Sequence, residues 1–73
     1  MCGIIGAASS RNVGKLLVQG LHKMEYRGYD SAGIALHQKD SIFKLRTIGK
    51  VSLLEDGMIE QRPKSKLGIA HTR

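Results

Sequence analysis

One cysteine, one proline, no tryptophan and three other aromatics are all that this 73-residue sequence holds of those residue types. A single cysteine excludes an intramolecular disulfide and, with it, a secreted disulfide scaffold. Three scattered histidines, His22, His37 and His71, give no paired ligand spacing with it, so no metal and no other cofactor is expected. Tyr26, Tyr29 and Phe43 are too few to make a stacking platform for single-stranded nucleic acid. The longest weakly polar stretch, residues 3–8, falls far short of the ~20 apolar residues that cross a bilayer, and no basic segment precedes it as in a signal peptide. The expectation is a cytoplasmic chain with no membrane partner.

Acidic residues are scarce as well. Six Asp and Glu stand against twelve Lys and Arg, a net charge of +6 that would attract nucleic acid without specificity. The basic residues are spread from Arg11 to Arg73 instead of clustering, so no nucleic-acid partner is expected, and a small basic nucleic-acid module stands only as an alternative.

What is present reads as alternating short elements. Residues 2–9 form a small, apolar run that fits a buried strand. Val13, Leu16, Leu17, Gly20, Leu21 and Met24 recur at helical spacing, with Asn12 or Ser10 as N-cap. Gly20 on that face implies close approach of another backbone. Residues 31–37 alternate as a strand, residues 38–41 turn the chain, and residues 42–48 return as the second arm of a hairpin. A weaker helix follows from Val51 to Ile59, ended by Pro63, and Leu67 to His71 forms a last apolar strand. His22 and His37 read as surface residues.

Strand, helix, hairpin, helix, strand predicts an α/β (α+β) layer in which helices cover one face of a largely antiparallel sheet and leave the other face apolar. The apolar strand ending at Arg73 suggests a chain cut in mid-domain. Such a layer would associate with another chain or with missing sequence, and a noncatalytic remnant of this kind is a further alternative.

Cys2 is the residue with chemical potential. A lone cysteine in an apolar run is commonly a small buried hydrophobe. Its position offers a second reading, because trimming of Met1 would free an α-amine next to the thiol. With a reference pKa near ~7.8 that amine can act as general base for the sulfur, so nucleophile and base would share one residue.

Four ordered blocks run the length of the chain: residues 1–6, residues 21–33 with their Tyr-Arg-Gly-Tyr-Asp-Ser-Ala-Gly core, residues 49–51, and residues 68–73. In this combination the sequence resembles the glucosamine-6-phosphate synthase family, the isomerising glutamine:fructose-6-phosphate aminotransferases. The Cys-Gly-Ile start alone is shared with other class II glutamine amidotransferases.

The resemblance implies the N-terminal portion of an N-terminal-nucleophile hydrolase fold, a four-layer α/β/β/α sandwich, with residues 1–73 an incomplete glutaminase domain. It implies that Cys2 attacks the side-chain amide of L-glutamine and that the ammonia released aminates fructose 6-phosphate in a separate domain of a homodimeric enzyme. Arg73 matches the arginine that holds the α-carboxylate of glutamine, with His71 and Thr72 beside the same site. Arg27 and Gly28 match the loop supporting the nucleophile, where Arg27 can also pair with Asp30. Segments that complete the pocket in the family, the oxyanion donors among them, are absent, so the 73 residues alone are expected to be nearly inactive.

Overall fold

The structure is a computed structural model; it describes residues 3–28 and 30–73, and of Arg27 the backbone alone. The elements run β1 (Gly3–Ala8), α1 (Gly14–Met24), a 3-10 turn (Glu25–Arg27), β2 (Ser31–Gln38), β3 (Ser41–Ile48), α2 (Val51–Gln61) and β4 (Leu67–Thr72). The predicted order of strand, helix, hairpin, helix and strand holds, with boundaries shifted by a residue or two.

All pairings are antiparallel, and the sheet order is β1-β4-β2-β3. The last strand therefore enters the middle, between the first strand and the hairpin. Both helices lie on one face. Val13, Leu17, Val18 and Leu21 from the α1 segment and Val51, Leu54 and Met58 from α2 close over Ala32, Ile34, Leu36 and Ala70 of the sheet. Alternation along the strands does the rest, since every second side chain of β2 and β4 turns into this layer.

Of the expected apolar stripe of α1, Val13, Leu17 and Leu21 are buried and Met24 packs against the core, but one position differs. Leu16 is half exposed, while Val18 is buried. Neither expected residue occupies the helix N-cap position, which falls on Val13 and carries no side-chain cap. Asn12 still acts one residue earlier: its Oδ1 accepts the Gly14 N–H at 3.3 Å and the Ser65 N–H at 3.1 Å. Gly20 does meet a close neighbour, but the neighbour is a side chain instead of a backbone, because a Cβ there would overlap Cδ1 of Ile5.

The second sheet face is open and mixed in character. Ile4, Ile42, Ile48, Leu67 and Ile69 are more than half exposed there, interspersed with Lys44, Arg46 and His71. The expectation of an uncovered face holds; its purely apolar character does not, since β3 places two cations among the isoleucines.

Candidate functional site

One end of the sheet gathers the residues singled out by sequence. Gly3, which follows Cys2 in the chain, pairs with Thr72, and Thr72 pairs on its other side with Ala32. Beyond β4 the chain stays tied to the start of β2: the Arg73 N–H donates to the Ser31 carbonyl at 2.8 Å, and the Ser31 N–H returns to the Arg73 carbonyl at 3.0 Å. Asp30 N–H donates to the same Arg73 carbonyl, and the Asp30 carbonyl accepts from Gly49 N–H at 2.9 Å. The first, second and fourth sequence blocks thus converge, and the third joins them through Gly49. Cys2 itself lies outside the described residues, as does Tyr29.

Alternation separates the predicted contact residues. His71 faces the open side, in a cross-strand row with Ile4, Gly33 and Arg46. Its ring rests on Gly33, with Nε2 only 2.6 Å from the place a Cβ would take and the Arg46 side chain on the far side. Glycine leaves room here for the imidazole, which any larger residue would displace; its φ is not in the left-handed region. Thr72 points the opposite way, buried against the helical layer, with Oγ1 and the Met24 side chain beside Gly3. Arg73 is exposed, with its backbone fixed and its guanidinium at the surface.

Gly28 closes the 3-10 turn at φ 75°, ψ 143°, donating its N–H to the Glu25 carbonyl at 3.1 Å. A side chain there would have open space but a disfavoured backbone, so conformation alone selects glycine. Arg27 belongs to that turn; its proposed pairing with Asp30 falls outside the described atoms.

Sequence reading missed two polar centres. His22, expected at the surface, is held on both nitrogens: Nδ1 lies 2.6 Å from Glu25 Oε1 and Nε2 lies 3.3 Å from Glu55 Oε1. The hydrogen bond to Glu25, followed by that to Glu55, outweighs partial desolvation and raises the His22 pKa above 6.5. The i, i+3 spacing of His22 and Glu25 was the available signal. Ser65 is the second centre. Its hydroxyl lies 2.5 Å from the His37 carbonyl and accepts the Leu67 N–H at 3.2 Å, while its carbonyl accepts the Val13 N–H at 2.7 Å. No signal in the sequence marks it, because His37 and Val13 are remote along the chain.

Among the described residues no three His, Cys, Asp or Glu side chains are grouped to hold a metal ion, and no helix is long and apolar enough to cross a membrane.

The fold and this strand-end cluster define an antiparallel α/β layer whose first strand begins directly after a cysteine and lies against an arginine-terminated central strand. No family model matches the chain. Curated proteins do. Along its whole length the chain is similar to the glutamine--fructose-6-phosphate aminotransferases [isomerizing] of Acinetobacter baylyi, at 47% identity over 73 residues, and of Haemophilus ducreyi, at 50% over 74. The protein of the same name from Legionella pneumophila strain Paris is 51% identical over 74. Each match takes in 100% of this chain and 12% of the relative, so the chain spans about an eighth of the length of these proteins. The resemblance drawn from the four blocks is thereby borne out.

Proposed function

We propose that these residues form the nucleophile-bearing part of a glutaminase site, within an isomerising glutamine:fructose-6-phosphate aminotransferase. The observation that carries this reading is the register of β1 against β4, which puts the residue after Cys2 beside the His71–Thr72–Arg73 segment. The names of relatives at 47 and 50% identity support the same reading.

In this reading Met1 is removed and the freed α-amine of Cys2 takes the thiol proton. The thiolate attacks the amide carbon of L-glutamine, the C–N bond breaks, and the protonated α-amine returns its proton to the leaving nitrogen as ammonia leaves. Water then cleaves the glutamyl thioester to glutamate and restores the thiol. Arg73 grips the α-carboxylate, where a guanidinium offers two parallel hydrogen bonds and lysine only a point charge. His71 borders the site from the open face; Thr72 serves it from the core side, as a positioning residue. The turn closed by Gly28 carries Arg27 towards the same end. Ammonia then aminates fructose 6-phosphate elsewhere in the full-length homodimer.

The wider fold in this proposal is the N-terminal-nucleophile sandwich, residues 1–73 supplying one helical layer and one sheet of a glutaminase domain. Residues 1–73 by themselves would hydrolyse glutamine hardly at all, because the oxyanion donors lie in other segments, and losing such a donor costs about 3 kcal/mol or more.

Steady-state kinetics of the full-length protein test the assignment. Cys2→Ala abolishes glutamine hydrolysis, and Arg73→Lys raises KM for glutamine at least tenfold with a smaller change in kcat. Hydrolysis retained by Cys2→Ala would overturn it.

A further inference from the structure

On the side of the molecule away from the open sheet face, α1 and α2 enclose a groove of about 470 Å³, within the range of small-molecule sites. The two helices run in opposite directions along it. Asn12, before α1, donates its Nδ2–H to the Pro63 carbonyl after α2, while His22 near the end of α1 reaches Glu55 in the first half of α2. The groove therefore has two chemically distinct ends. Lys15 from the first turn of α1 and Arg62 and Lys64 from the exit of α2 line one of them. Val18, Met58 and Ile59 provide an apolar floor, on which Ile59 is 63% exposed. Glu55 is the one carboxylate among the lining residues, and His22 engages it at the far end.

Arg62 gives this groove a second, independent mark. It caps α2 in the left-handed conformation, at φ 50°, ψ 48°, and is the one non-glycine residue with positive φ among those described. That position in a helix exit ordinarily falls to glycine, and the capping N–H bond to the Met58 carbonyl is a backbone bond that glycine would keep. An arginine that lines the groove from a left-handed backbone position, at a conformational cost, has the character of a residue placed for a ligand.

We propose that the groove binds a small soluble phosphate monoester with a flat apolar body. Three cations drawn from separate backbone positions match a dianion better than a carboxylate, and the Val18–Met58–Ile59 floor would take the apolar part. This ligand is distinct from glutamine, whose proposed site lies at the sheet end.

Calorimetric titration of the full-length protein with phenyl phosphate at fixed salt tests the proposal. The expected result is saturable binding, at least tenfold weaker with inorganic phosphate or phenylacetate, and at least tenfold weaker again for phenyl phosphate in Arg62→Gly. Glycine suits the left-handed backbone, so this variant keeps or raises its melting temperature while losing the ligand. Lys15→Ala combined with Lys64→Ala, both at exposed positions, repeats the test independently of the helix exit. Absent binding overturns the proposal, as does binding unchanged in both variants, which would place the phosphate elsewhere. Hexaglutamate binding as tightly as phenyl phosphate would also overturn it, in favour of an acidic peptide.

Discussion

Asn12 and Ser65 hold more of this small fold together than their size suggests. Asn12 Oδ1 accepts two backbone N–H groups from segments about fifty residues apart, and buried Ser65 links β2, β4 and the start of α1. Removing either side chain strands donors or acceptors that had exchanged water for protein, a loss of about 1–3 kcal/mol. Ser65→Ala and Asn12→Ala should each lower stability by that amount in chemical denaturation. Gly68→Ala should cost about as much for a different reason: a Cβ there meets Leu36 Cδ2 at 2.5 Å, and the Ala35 carbonyl and Leu17 Cδ1 at 2.9 Å, one of them rigid backbone. Gly28, in the loop the resemblance marks, has positive φ and so needs glycine for its backbone. At Gly33 the reason is different, the close His71 ring, which becomes visible only when β2 and β4 are paired.

At the level of elements, His22 ties α1 to both the 3-10 turn and α2. Its folded pKa lies above the unfolded value of 6.5, first through Glu25 and then Glu55. The protonated form is therefore favoured by folding, and its stabilisation is complete below about pH 6.5 and lost as pH rises through the folded pKa. His22→Gln should erase this component, so the stability difference between wild type and variant should shrink from pH 6 to pH 8.5 in thermal melts. The effect is modest, since the pair is partly exposed. Helices and hairpin were legible because their hydrophobic periods are local. Alternation along β3 half-buries Phe43, Leu45 and Thr47 and exposes the residues between them. The burial of Val18 in place of Leu16 on α1 was not legible: both are apolar, and the sheet beneath decides between them.

Across the whole molecule, insertion of β4 between β1 and β2 is what brings the proposed site residues to one end of the sheet. Two chain segments separated by almost the full sequence become neighbours, and the residue after Cys2 meets the segment ending at Arg73. This convergence was accessible from sequence only through resemblance, since no periodicity specifies which strands pair. The uncovered face, by contrast, followed from the order of the elements, and its mixture of isoleucines with Lys44 and Arg46 emerges in the assembled sheet.

The central claim is that Cys2 becomes an N-terminal nucleophile acting on glutamine. Intact mass spectrometry of the full-length protein from its native source, before and after incubation with a thiol-reactive glutamine analogue, tests it most directly. The account predicts loss of Met1 and a single adduct on Cys2, prevented by excess L-glutamine. Retention of Met1, or an unmodified Cys2 under the same conditions, would contradict it.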